Sequence, residues 1–151
     1  MKRFRFPLRP VAVLRAHREM LARDAFGAAV HAYVKSEEEL AATRARVAQL
    51  GDALFSRRRE RFSAAVEAQS LAAYRRECAA EAEAERAMLA AREAMNQRRA
   101  EYLEAHRKVE VVKRLETKAR AAHRYETNRE EQAEFDDFAG RRFARRNLFP
   151  A

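Results

Sequence analysis

Prolines occupy positions 7, 10 and 150 only, so the whole stretch from Val11 to Phe149 lacks the residue that most reliably breaks a helix. A chain with so little turn punctuation has few alternatives to long helices, and loop-rich β-sandwiches and α/β enzymes are disfavoured from the outset. Gly27, Gly51 and Gly140 are the other weak points. The first two cost about 1 kcal/mol each inside a helix, and Gly140 is placed to cap a helix C-terminus. Composition agrees: 36% of the 151 residues are charged, Trp is absent, and Ala, Arg and Glu dominate. Apolar residues reach 48% only with alanine included, and alanines bury little area each, so a thick core is hard to build.

Periodicity decides the architecture. Phe26, Tyr33, Leu40, Val47 and Leu54 recur every seven residues, with Ala22, Ala29, Ser36, Thr43 and Leu50 as their companions. This is a coiled-coil seam. Met88, Met95, Tyr102 and Val109 form a second series, accompanied by Ala84, Ala91, Ala105, Val112 and Ala119, with Arg98 as one polar intruder. Two seams imply an all-α fold, a long two-helix antiparallel coiled-coil hairpin. Facing Tyr33 with Val109, Leu40 with Tyr102, Val47 with Met95 and Leu54 with Met88 puts the reversal near residue 71. The expectation is one coiled-coil domain over 1–151: helix one over about 11–65, a turn near 66–72, helix two over about 73–139 and a basic tail over 140–151. Ser63 and Ser70 are candidate caps for the second helix. Arms of roughly 60 residues span about 90 Å at 1.5 Å per residue. The competing arrangement is one uninterrupted helix paired with a second copy.

The net charge of +9 is not evenly spread. Residues 1–35 carry 8 basic and 2 acidic side chains, residues 36–110 balance, and residues 111–151 carry 10 and 7. In an antiparallel hairpin the two charged quarters are neighbours, giving a strongly basic end and a neutral tip. Such polarity orients a molecule in an acidic socket more than it adds affinity.

The search for chemistry finds none. Three glycines make neither a phosphate-cradling loop nor a nucleophile elbow, and no cofactor is expected. His17, His31, His106 and His123 are preceded three residues earlier by Leu14, Ala28, Leu103 and Arg120, so the Glu-x-x-His pattern of di-iron bundles is missing. The acidic runs Glu37–Glu39 and Glu81, Glu83, Glu85 read as solvated helix faces. Cys78, the single cysteine, sits beside Glu77 and near Glu81, which does not activate a thiol. With one cysteine, no membrane span and no signal peptide, the chain reads as cytoplasmic. The basic runs Arg57–Arg58–Arg59–Glu60–Arg61 and Arg141–Arg142–Phe143–Ala144–Arg145–Arg146 raise nucleic-acid binding, but they do not form one contiguous basic arm ahead of a dimerising seam, and no nucleic acid is expected as partner.

Across nearly its whole length the sequence resembles the FliJ proteins of the bacterial flagellar type III export apparatus. The opening Phe4-Arg5-Phe6-Pro7-Leu8-Arg9-Pro10-Val11 looks like the family's aromatic-basic start into helix one. Lys113-Arg114-Leu115-Glu116-Thr117-Lys118 and the stretch Arg129 to Arg142, with Glu131-Gln132 and Asp136-Asp137-Phe138-Ala139, are similar to its closing pattern. Thr117 stands where Leu is usual, and Asp137 replaces the common Glu.

The resemblance implies a non-enzymatic coiled-coil stalk like the rotor of rotary ATPases. It implies a protein that enters and stimulates the hexameric flagellar export ATPase, contacts the export gate membrane protein, and helps recycle export chaperones. Such a protein works in the cytoplasm, peripheral to the inner membrane at the flagellar base, with no small-molecule substrate. Charge direction assigns ATPase binding to Arg3, Arg5, Arg9, Arg141 and Arg142. At the start of helix two, where the family carries apolar gate-binding residues, the matching positions are Leu71, Tyr74 and Cys78, which serve equally well to pack the hairpin tip. The equivalent stalk of a virulence-type injectisome, a free-standing basic coiled-coil scaffold and a nucleic-acid-binding protein are the remaining alternatives.

Overall fold

A computed structural model describes residues 3–57 and 63–148, with side chains described through Arg145. It contains two long helices packed against each other, α1 (Arg9–Arg57) and α2 (Ala64–Leu148), and no strand among the described residues. The expected all-α two-helix hairpin is therefore present. Pro10 is the second residue of α1, where a missing N–H costs nothing because the first-turn donors lack intrahelical partners anyway. The Leu8 carbonyl accepts the Ala12 N–H at 2.9 Å and opens the ladder. At the other start, the Ser63 carbonyl accepts the Glu67 N–H at 3.1 Å, so Ser63 stands in the cap position, and Glu67 adds a carboxylate to the first turn.

Several boundaries differ from the sequence reading. The stretch expected to turn, 66–72, lies inside α2, which begins at Ala64; part of helix one as expected, 58–62, lies outside the described residues. Gly140 does not cap a helix: α2 runs on to Leu148, and no glycine has a positive φ. The segment expected as a tail is helical through that residue for the reason the sequence itself supplies, the lack of proline before position 150.

The chain groups into two compact units, one of residues 1–18 with 105–151 and the other of residues 19–104. In the 19–104 unit the helices run antiparallel. The Phe26 and Tyr102 rings stack with centroids 6.2 Å apart and planes 5° from parallel. Leu40 and Thr43 are the buried residues of this unit. Thr43 is satisfied within its own helix, its hydroxyl donating to the Glu39 carbonyl at 2.8 Å. Polar pairs flank the seam: Arg44 reaches Glu81 at 3.2 Å and Glu85 at 3.3 Å, and Arg46 reaches Glu77 at 3.2 Å. The Arg57 guanidinium donates to the Ser70 hydroxyl at 3.3 Å.

These contacts correct the register. The expected layers faced Tyr102 with Leu40, whereas Tyr102 stacks on Phe26, two heptads earlier in α1. A seven-residue repeat fits equally well after any whole-heptad slide, so the pattern names the seam residues without saying which faces which. The position of the reversal and the flanking ion pairs choose among the slides. Arg44 meets Glu81 and Glu85, while Tyr74 lies beside Gly51, whose missing Cβ would stand 3.6 Å from the Tyr74 ring.

In the unit of residues 1–18 and 105–151, Val109 and Val112 are the buried residues, at 7% and 3% exposure. Arg15, half-buried on the seam side of α1, donates to the Lys108 carbonyl at 3.0 Å.

The register is checked by cysteine pairs in a Cys78→Ser background. Phe26→Cys with Tyr102→Cys is expected to cross-link within one molecule with short reagents, and Leu40→Cys with Tyr102→Cys is expected not to. Leu40→Ala is expected to destabilise the helix pair by about 2–3 kcal/mol in denaturant unfolding followed by circular dichroism, the usual cost of emptying a buried leucine site.

Candidate functional site

Charge is divided sharply between the two units. The unit of residues 1–18 and 105–151 holds 18 basic and 8 acidic residues, a net +10, which leaves 14 and 15, a net −1, for residues 19–104. The basic quarters identified in the sequence thus fall in one unit, and its first eighteen residues contain no carboxylate.

Within that unit, the segment ahead of α1 reaches α2 through Phe4. Phe4 is the anchor. Its ring meets His123 edge-on, with centroids 5.4 Å apart and planes at 72°, and the Arg120 guanidinium sits 5.1 Å from the Phe4 centroid. Arg120 is held in place by Glu116, which accepts from its Nη2 at 2.6 Å and its Nε at 3.1 Å. An aromatic ring between a guanidinium and an imidazole gains both cation–π and edge-to-face attraction.

This packing leaves a groove of about 950 Å³ whose apolar lining includes Phe4, Phe6, Val13, Val109 and Val112. Arg3, Arg5 and Arg9 stand around it with Lys113. Lys113 bonds Glu110 at 2.8 Å, and that hydrogen bond, reinforced by the lysine's charge, holds the Glu110 carboxyl below its ordinary pKa. Among the described residues no carboxylate forms a salt bridge with Arg3, Arg5 or Arg9, so three guanidinium groups face solvent around an apolar lining. Arg141 and Arg142 belong to the same unit and are exposed on α2, but they do not line the groove. Sequence reasoning found the arginines and missed the cradle of Phe4, Glu116 and Arg120. The i,i+4 spacing of Glu116 and Arg120 was a usable sign; the return of Phe4 onto them was not, because it depends on register.

The second set of expected site residues is elsewhere. Leu71, Tyr74 and Cys78 lie on one face of α2 in the unit of residues 19–104, all half-buried. The Tyr74 phenol is raised above its ordinary pKa, first by hydrogen bonding with Cys78, then by electrostatic interaction with Cys78, partial desolvation and Glu81. The Tyr74 ring faces the seam beside Gly51. No group of three or more His, Cys, Asp or Glu among the described residues is arranged to hold a metal ion, and no helix there is long and apolar enough to cross a membrane.

A protein-family model described as flagellar FliJ protein matches residues 4–148. The chain belongs to the FliJ family. The family is a non-enzymatic component of the flagellar export apparatus, which places this chain in flagellar protein export. The match takes in both the Phe4 anchor and the exposed end of α2. The chain has no match among curated proteins or among solved structures.

Because the Tyr74 phenol is raised in the folded chain, it favours folding at neutral pH, and that contribution is lost as pH rises through the phenol's folded-state value. Cys78→Ala is expected to bring the Tyr74 titration, followed by ultraviolet absorbance, down toward an ordinary tyrosine. An unchanged titration would remove the Cys78 bond as the cause.

Proposed function

We propose that this chain is a stalk that binds the hexameric flagellar export ATPase through its basic unit and stimulates it, and that Leu71, Tyr74 and Cys78 contact the export gate membrane protein. The carrying observation is the net +10 of residues 1–18 and 105–151 against the net −1 of residues 19–104. Arg3, Arg5, Arg9, Arg141 and Arg142 are the ATPase-binding residues in this reading. The three guanidinium groups around the apolar groove supply direction and on-rate to an acidic socket, and Phe4 and Phe6 supply the short-range contact that salt does not screen. Export chaperones are further partners on the same reading, which sets the work in the cytoplasm against the inner membrane at the flagellar base. The family match favours the flagellar system over an injectisome counterpart.

Turnover of the hexameric export ATPase with and without the chain tests this. Reversing all five arginines to Glu is expected to reduce stimulation at least about tenfold at low salt while circular dichroism shows helicity retained. Unchanged stimulation would overturn the assignment. Tyr74→Ala is expected to leave ATPase stimulation intact and to weaken binding to the gate protein; equal loss of both would make the tip structural.

A further inference from the structure

The face of α2 that packs on α1 does not end where α1 ends. In the unit of residues 1–18 and 105–151 it starts at Ala105 and runs through Val109, Val112, Glu116, Ala119, His123, Thr127 and Glu131 at three- and four-residue steps, all buried or half-buried. The same stepping then gives Glu134, Phe138, Arg142 and Arg145, all exposed. Phe138 is 66% exposed, and Phe135 beside it on the helix is 69% exposed. From Gln132 to Arg145 every residue is exposed, so a packing stripe continues without a partner.

The uncovered stripe, taken with half-buried Glu131 at its margin, is complementary to itself when reversed. Glu131 and Arg145 are each seven residues from Phe138, and Glu134 and Arg142 are each four residues from it. An antiparallel pairing of this segment with an identical segment sets Phe138 against Phe138 on the two-fold axis. It brings Glu134 opposite Arg142 and Glu131 opposite Arg145, each twice by symmetry. Phe135 falls next to Arg141, a pairing that allows a guanidinium to lie on the ring. A parallel pairing would set every charge against its own kind. None of Glu131, Glu134, Arg142 and Arg145 forms a salt bridge within the molecule among the described residues.

We propose that a second copy of this chain covers the exposed end of α2, forming an isologous antiparallel α2–α2 contact centred on Phe138. Two observations choose that occupant over a foreign helix. The stripe is continuous with the α1–α2 seam, and its charges answer one another through a two-fold operation, the symmetry of most protein homodimers. Fifteen residues of helix cover only about 22 Å, and such a contact is smaller than a stable dimer interface of roughly 1,200 Å² or more. The association is therefore weak and reversible, and salt-sensitive because four of its contacts are ion pairs near the surface. It does not rest on the ATPase reading, although Arg142 is common to both.

Sedimentation equilibrium of the full chain up to about 500 µM tests it, with three proteins at low salt. The unsubstituted chain is expected to show a monomer–dimer equilibrium. Glu131→Arg with Glu134→Arg, and separately Arg142→Glu with Arg145→Glu, are each expected to raise the dissociation constant at least about tenfold through like-charge contacts. An equimolar mixture of the two variants is expected to recover the dimer, since all four pairs become attractive again. In a Cys78→Ser background, Glu131→Cys with Arg145→Cys is expected to cross-link position 131 to 145 between molecules. A chain that stays monomeric throughout, self-association untouched by either charge reversal, a mixture no tighter than its components, or cross-linking of 131 to 131 would overturn the proposal.

Discussion

Everything in this molecule depends on a seam too thin to bury much. Leu40, Thr43, Val109 and Val112 are the buried residues among those described, and no side chain there is fully withdrawn from water. Alanine and serine at alternate seam sites let two helices approach closely, but each contributes little area. The helices therefore depend on repetition, many half-buried layers in place of one core. Exposed arginine–glutamate pairs at the margins add modest energy each and more to the choice of register.

That thinness explains what the sequence revealed and what it hid. Leu40, Thr43, Val109 and Val112 all appear in the heptad series, because burial in a coiled coil follows spacing alone. Facing is another matter. Tyr102 meets Phe26 and not Leu40, since a heptad pattern is indifferent to whole-heptad slides, and the start of α2 at Ala64 together with the flanking ion pairs fixes the choice. The turn was misplaced for the same reason: Ser63 and Ser70 are equally good caps on paper, and nothing local separates them. Arg3, Arg5 and Arg9 were legible as a basic cluster from composition. The groove they surround was not, because it exists only once Phe4 has folded back onto Arg120 and His123.

The division of charge bears on how a chain of this kind is used. A net +10 in one unit and −1 in the other means that a distant acidic partner exerts its pull on the basic unit alone. The apolar side chains of that unit differ in setting: Phe4 and Phe6 line the groove, and Phe135 and Phe138 are exposed on α2. The family match places this division of charge in a component of the flagellar export apparatus.

The shortage of buried surface has a calorimetric corollary. The chain exposes 12900 Å², well above the roughly 7,900 Å² expected of a globular protein of its mass. Heat capacity of unfolding scales mainly with the apolar area newly wetted. Having withdrawn so little of it, this chain unfolds with a small heat-capacity increment, and its free energy of folding varies with temperature along a shallow, open curve.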